Sequence, residues 1–450
     1  MHAIANRRKF GGIPSSLSQG GFGELRKRLL FVLIGIFVYR LGTYIPIPGL
    51  NPSRLSKLFH QHEWGFLGMF NMFSGGALSR MTIFALGIMP YISSSIIVQM
   101  YSQISPKMQV LQKEGESGHR KINQYIRYGT VVLALLQSIF MTKWLVNSSG
   151  VVIDPNFGFY FTTVVTLVTG TMFLMWLGEQ MTERGIGNGI SLIIFSSIAS
   201  RLPSAISQVF MQVRQDQMSV LTLLFLLSVI ILVILVVVFF ERAQRRITIN
   251  YAKRQQGRKL YTAQSSHLPL KINMSGVIPV IFAQSIILFP GAVAKFMASI
   301  RELGWLDNIS LALSNGQPAY IVIFAIAVVF FSFFYTMLVF NPRETAENLK
   351  KSGAFISGIR PGEQTANYIG KVMMRLTLIG SVYLASVALL PQFLILVWNV
   401  PFYFGGTSLL IAVVVIMDFV AQIQAHVVSH QYESLMKKSG IKGSRFGLIR

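Results

Sequence analysis

The side chains that commonly do chemistry are few in this chain and poorly spaced for it. The seven histidines are His2, His60, His62, His119, His267, His426 and His430. His60 and His62 lack the H-E-x-x-H spacing that puts two imidazoles and a general base on one helix face. No Gly-x-Ser-x-Gly elbow and no phosphate loop ending in Gly-Lys-Ser/Thr occurs. Gly185-Ile186-Gly187-Asn188-Gly189 has the glycines of a phosphate loop but no following Lys, so a closely packed helix start explains it better. The absence of Cys excludes thiol catalysis, disulfides and Cys-ligated metal. No enzyme activity, metal or cofactor is expected. One carboxylate, Asp418, lies within a long apolar run, with Arg375 and Lys371 as candidate partners. A structural role suits it. An ion-coupled transporter should bury more paired charges, and an intramembrane hydrolase needs a nucleophile and a base at one depth.

The elements that must position any site are apolar. The chain has 450 residues, 52% hydrophobic and 12% charged, with mean hydropathy +0.55. Soluble domains carry roughly 25% charged residues, so this is an integral membrane protein. Its apolar runs are continuous rather than alternating, which predicts helices and not a barrel. Ten spans are expected: Leu29–Ile45, Leu78–Tyr101, Tyr125–Trp144, Phe157–Gly178, Gly189–Val213, Val220–Phe240, Ile272–Phe296, Ala319–Phe340, Val372–Val397 and Thr407–Val428. Arg7, Arg8 and Lys9 precede the first run, which has no small-residue cleavage site, so a retained anchor is expected.

Charge supports the count. Net charge is +24, from 40 Lys+Arg against 16 Asp+Glu. With the N-terminus in the cytoplasm, cytoplasmic segments hold 31 of the 40 cations. Six precede span one, five lie between spans two and three (Arg127 included), and Arg184 follows span four. Eight lie in 241–271, six in 343–375 and five in the tail. Basic residues stay inside, which puts both termini in the cytoplasm.

The other spans are arranged around Gly65–Ile92. Its first part, Gly65–Ala77, is rich in Phe and Met and broken by Gly65, Gly68 and Gly75-Gly76. At about 1.5 Å per residue it is too short to cross a ~30 Å layer. One reading is a re-entrant piece feeding the span that starts at Leu78; the other is a loop lying on the surface. Ten spans divide into five and five, so the second half enters the membrane inverted. The halves are taken as 1–218 and 219–450. Gly87–Ile92 (GIMPYI) matches Gly276–Ile281 (GVIPVI), each in the second span of its half. Gly189–Ile194 (GISLII) matches Gly406–Ile411 (GTSLLI), each in the last. Thus Ile92 answers Ile281 and Ile194 answers Ile411, while Ile88 and Ile190 lie one turn earlier. A single isoleucine in a span ordinarily faces lipid or a neighbour. If the halves face each other, Ile88, Ile92, Ile190, Ile194, Ile281 and Ile411 meet as an apolar constriction that excludes water and ions by dewetting. Span five is interrupted at Arg201-Leu202-Pro203, where it should surface ahead of an amphipathic piece.

Two cytoplasmic loops stand out. In Glu241–Lys271, Arg246–Ala252 and Lys259–Ala263 have strand composition around Gln255–Arg258, predicting a basic hairpin. Its charge fixes topology, yet eight cations exceed what orientation needs and point to docking of an acidic partner or RNA. Asn341–Lys371 predicts a helix Pro342–Ser352, capped by Asn341 and ended by Gly353. A tight turn at Pro361-Gly362 then holds Arg360 near an exposed tip.

The chain resembles the SecY family, the central channel subunits of the bacterial Sec protein translocase. The carriers are FNMFSGGALSRMTIFALGIMPYIS at 70–93, QKEGESG at 112–118, GTMFLMWLGEQMTERGIGNGIS at 170–191, ERAQRRITINYAKRQQGRKLY at 241–261, NPRETAENLKKSGAFISGIRPGEQT at 341–365 and VPFYFGGTSLLI at 400–411. The likeness covers nearly the whole chain. It implies an all-α integral membrane protein with ten transmembrane helices in two inverted five-helix halves around a central pore. It implies a protein-conducting channel of the bacterial inner (plasma) membrane, passing unfolded secretory polypeptides and releasing membrane spans sideways. Spans two and three against seven and eight would form that lateral gate. Phe66, Met69, Phe70, Asn71, Met72, Phe73, Ser74, Gly75 and Gly76 would belong to a plug, and the six isoleucines to a pore ring. Arg245, Arg246, Arg254, Arg258 and Arg360 would dock the SecA motor ATPase or a translating ribosome. SecE would brace the halves, with SecG peripheral. Energy would come from these partners, with no cofactor.

Overall fold

The computed structural model describes residues 19–61, 66–148, 150–216, 219–251, 254–256, 259–261, 265–287, 317–398 and 406–438. The first half contains α1 (Gln19–Gly42), α2 (Pro52–Gln61), α3 (Phe66–Phe73), α4 (Met89–Ile104), α5 (Pro106–Lys113), α6 (Glu116–Asn147), α7 (Phe157–Arg184), α8 (Gly189–Ala199) and α9 (Leu202–Arg214). Then come α10 (Val220–Arg242), strands β1 (Gln244–Tyr251), β2 (Arg254–Gln256), β3 (Lys259–Tyr261) and β4 (Ser265–Lys271), and α11 (Ile278–Ile287). The chain continues through α12 (Pro318–Val339), α13 (Pro342–Lys351), β5 (Ala354–Phe355), α14 (Glu363–Trp398) and α15 (Gly406–Lys438).

Among the described residues, seven helical stretches are long and apolar enough to cross a membrane. They are Glu116–Asn147, Phe157–Arg184, Gly189–Arg214, Val220–Arg242, Pro318–Lys351, Glu363–Leu394 and Gly406–Ser429. These coincide with expected spans three to six and eight to ten, so the chain is a multi-pass, mostly helical membrane protein. The other three expected spans differ for visible reasons. Helix α1 carries Arg26, Lys27, Arg28 and Arg40, which leaves a short uncharged run between them. In α11 the helix is described over Ile278–Ile287, and its expected continuation to Phe296 lies outside the described residues.

The expected span two needs correction. Its helix starts at Met89, not Leu78, and the chain from Ser74 to Ile88 runs in turns. Hydropathy registers apolar side chains but not the backbone that carries them. Here Gly87 takes φ +58°, and even Met81 takes φ +45°, a conformation no α-helix admits. Pro90 then sits in the first turn of α4, where a missing amide costs nothing. The matched stretch in the second half repeats this backbone. Gly276 has φ +59°, and Pro279 is the second residue of α11. Ile92 N donates to Ile88 O (3.1 Å), as Ile281 N does to Val277 O (3.3 Å).

Span five breaks where expected, at Ser200-Arg201, with Pro203 in the first turn of α9. Val209 and Val213 of α9 pack on Leu226 of α10, with Ile230 and Leu394, while Leu202, Ile206 and Phe210 stay exposed. One large apolar cluster draws side chains from α1, α3, α4, α7, α8, α10, α11, α12, α14 and α15. Close helix packing relies on absent side chains. A Cβ on Gly170 of α7 would lie 1.9 Å from the Ile83 carbonyl oxygen. Gly170→Ala therefore forces α7 off the turn segment and should cost about 1–3 kcal/mol. Thermal unfolding of the detergent-solubilised protein checks this, with Gly158→Ala, which meets nothing within 4 Å, leaving the midpoint unlowered.

Candidate functional site

The six isoleucines lie on four segments whose starts are each clamped. Asn188 caps α8, its Oδ1 accepting from Ile190 N (3.1 Å) and Ser191 N (3.4 Å). Gly189 lets that start press on α7, since a Cβ there would lie 2.1 Å from the Gly178 carbonyl oxygen. Gly406 does the same for α15, where a Cβ would lie 2.5 Å from Val387 O. Ile190, Ile194 and Ile411 thus project from rigid helix starts, and Ile88, Ile92 and Ile281 from the paired Gly-x-x-Pro turns. The structure brings all six into one continuous apolar cluster. Five are buried, Ile411 completely, and Ile190 is half-buried. Ile88, Ile92 and Ile194 share a space with Phe73, Tyr39 and Ser197 that leaves ≈ 10 Å³ for a water-sized sphere. That is about what a single water requires.

Phe66, Met69, Phe70, Asn71, Met72 and Phe73 lie on α3, and Ser74, Gly75 and Gly76 begin the turns that follow. Asn71, Phe73, Ser74 and Gly75 are buried, and Phe70 is half-buried between two apolar clusters. This segment is packed inside protein, so the surface-loop reading fails. Its returning backbone is satisfied by its own side chains. Asn71 Oδ1 accepts from Ser79 N (3.0 Å), and Ser74 Oγ accepts from Leu78 N (3.1 Å). The Tyr39 hydroxyl lies 3.2 Å from Ser74 O and 2.6 Å from Ser197 Oγ.

The hairpin expected within 241–271 is longer than composition indicated. The tip pairs β2 with β3, Arg254 opposite Tyr261, but β1 pairs with β4, Arg246 opposite Pro269. Pro269 hid β4 from a sequence reading, and it is tolerated because β4 is an edge strand in the order β4-β1-β5. Strand β5 comes from the second loop: Asn250 faces Phe355 and Tyr251 faces Ala354. The two loops are therefore one sheet over a shared core of Ile247, Leu270, Ile356 and Ile369. Arg245, Arg246 and Arg360 are exposed; Arg254 lies on β2, and Arg258 lies outside the described residues. Helix α13 is capped as expected, Asn341 Oδ1 accepting from Arg343 N (3.1 Å). Thr365 Oγ1 donates to Arg360 O (2.9 Å), which pins the tip.

Asp418 is exposed on α15, and the cation acting on it is Lys271, the last residue of β4, rather than Arg375 or Lys371. Glu241 is buried at the end of α10 and accepts from Asn273 Nδ2 at 2.5 Å, tying α10 to the turn before α11. Neither this pair nor Tyr39–Ser197 left a signal in the sequence: a lone hydroxyl or amide in an apolar run has no pattern. Among the described residues no cluster of His, Asp and Glu is arranged to hold a metal. Ile247→Ala, which empties the sheet's core, should cost about 2–5 kcal/mol. Limited trypsin digestion should then accelerate in both loops together, at Arg245 and at Lys351, whereas Thr248→Ala on the exposed face should change neither.

A family model described as SecY matches residues 82–420. The protein translocase subunit SecY of Pseudomonas aeruginosa is 58% identical over 439 residues, covering 98% of this chain and 99% of the relative. That of Escherichia coli K12 is 59% identical over 435 residues, covering 96% and 98%. Among solved structures, one of SecY bearing on its plug domain aligns with TM-score 0.66 at 17% identity, over 93% of this chain and 95% of the other. Sec61 in a canine ribosome–channel complex from the endoplasmic reticulum aligns with TM-score 0.61 at 15% identity, over 93% and 95%. At that identity the likeness is one of fold.

Proposed function

The chain belongs to the SecY family, and on that footing we propose that it is a protein-conducting channel of the bacterial inner membrane, a conduit rather than an enzyme. Ten spans form two inverted halves, 1–218 and 219–450, with both termini in the cytoplasm. The observation that supports the reading is that Ile88, Ile92, Ile190, Ile194, Ile281 and Ile411, from four separated segments, belong to one apolar cluster, with Phe73 beside Ile88, Ile92 and Ile194. A channel for unfolded polypeptides must pass every side chain yet leak no ions. Apolar β-branched side chains suit this task. They exclude water from a narrow opening by dewetting, and they offer no hydrogen bond that would hold a passing chain. The helix α3 and its turn, through Phe66–Gly76, plug the outer side at rest. Spans two and three part from seven and eight to let apolar segments reach lipid.

The driving energy comes from outside. The sheet that carries Arg245 and Arg246, the β2–β3 tip at Arg254, and the pinned turn at Arg360 lie where the SecA motor or a ribosome would dock. Relatives of this fold are seen in ribosome complexes, which supports the ribosomal part. SecE would brace the halves and SecG lie at the periphery. Arg360→Glu reverses the charge at the docking tip. Motor-driven export by membrane vesicles should fall about tenfold or more, as loss of a desolvated charge contact does, while assembly with partner subunits persists; normal export would refute that docking role.

The absence of Cys makes the pore assignment directly testable. Single cysteines at Ile92, Ile281 and Ile411 should crosslink to a secretory chain stalled midway, and Leu232→Cys, 60% exposed on α10, should not. Stalled, engaged complexes without ring crosslinks would overturn the pore ring.

A further inference from the structure

We infer that Tyr39 and Ser197 form a hydroxyl latch that holds the plug turn in place, an inference that rests on the plug reading above. Tyr39 lies on α1 and is 1% exposed. Its ring stacks on Phe84 within the turn segment, centroids 6.1 Å apart. Its hydroxyl stands where three elements converge: α1, Ser197 Oγ of α8 at 2.6 Å, and the carbonyl of Ser74 at 3.2 Å. Ser197 Oγ is also 2.9 Å from Ile193 O. The turn is flush against this point, since a Cβ on Gly75 would lie 3.0 Å from Ser197 Cα. Tyr39 and Ser197 also wall the small space beside Ile88, Ile92 and Ile194.

Two hydroxyl protons thus serve three contacts, because each hydroxyl donates once. With Ser197 donating to Tyr39 and Tyr39 donating to Ser74 O, the turn is tied through Tyr39 to α8. When the turn leaves, Tyr39 donates to Ser197 and Ser197 to Ile193 O. Both hydroxyls then remain paired. An orphaned buried group is the expensive outcome of breaking a hydrogen bond, and this arrangement avoids it. Each state makes two hydrogen bonds: the closed one directs a proton to Ser74 O, and the open one leaves no buried hydroxyl stranded. A polypeptide entering between Ile92 and Ile194 presses on the wall that carries the latch. Tyr39 is a positioning residue acting through Ser74, not a group that touches the passing chain.

The test uses the assembled channel complex in vesicles, measuring resting chloride efflux. Tyr39→Phe keeps the stacked ring and removes the proton; Ser197→Ala removes the other partner. Tyr39→Phe should raise the leak about 2- to 10-fold, the worth of the contact to Ser74 O, whereas Ser197→Ala leaves Tyr39 its donation to Ser74 O and should not raise it. The double variant should leak no more than the worse single, because only one contact to the turn is lost. Deleting 66–76 should raise the leak further, and Tyr39→Phe in that background should add nothing. If the deletion leaks while Tyr39→Phe matches the parent, or if Ser197→Ala leaks as much as Tyr39→Phe, the latch is overturned and the plug stands. If the deletion leaves efflux unchanged, the plug reading fails and the latch with it. Additive single effects that persist in the deletion background would mean a packing defect, which also overturns the latch.

Discussion

Inside a bilayer an unpaired peptide group has no water to turn to, and each one costs several kcal/mol. The segment from Ser74 to Ile88, which forms neither a helix nor a strand and is mostly buried within the protein, faces the same demand. It meets it by borrowing partners from every side. Ile83 N donates to Ile45 O, Ile47 N to Met81 O, and Thr82 N to Ala77 O. Asn71 and Ser74 supply side-chain acceptors from just upstream. The neighbours are fixed in turn: the chain beyond α1 must hold its carbonyl at Ile45, and α7 must stay bare at Gly170 to let Ile83 approach. Much of the first half is thereby arranged to house one irregular stretch.

The apolar cluster around the six isoleucines is held by a different balance. Lipid tails are as apolar as leucine, so burial among helices gains little over exposure to lipid. What distinguishes the interior is packing and the exclusion of water. The starts of α8 and α15 are glycine-pressed onto neighbouring helices, which fixes where Ile190, Ile194 and Ile411 point. A cluster built this way is stiff at its roots and soft at its tips. That combination suits the constriction proposed above.

Much of this was legible in the sequence because the signals were periodic or repeated. The match of GIMPYI to GVIPVI foretold a shared backbone, and Gly87 and Gly276 agree within a degree in φ. The break at Arg201 was marked by Pro203, and the cap of α13 by Asn341. The start of α4 was misplaced because hydropathy counts side chains, and the apolar majority of Leu78–Ile88 outweighs Ser79, Arg80 and Thr82. Strand β4 was missed through Pro269, and β5 because two residues carry no period. Tyr39 and Ser197 are 158 positions apart, and only the fold makes them neighbours.

The joining of the two cytoplasmic loops has a mechanical side. Strand β1 follows directly from α10, and β4 leads into α11; β5 lies between α12 and α14. Ile272 N donates to Ala243 O at 3.0 Å, closing the base of the ladder. The sheet is therefore a stiff plate joined to α10, α11 and α14, and through α13 to α12, with a strand rising about 3.3 Å per residue as its long edge. A load applied at its rim cannot bend one loop and spare the other. It passes as torque to the helices that the strands run into, so the docking partner proposed above would grip a lever rather than a tether.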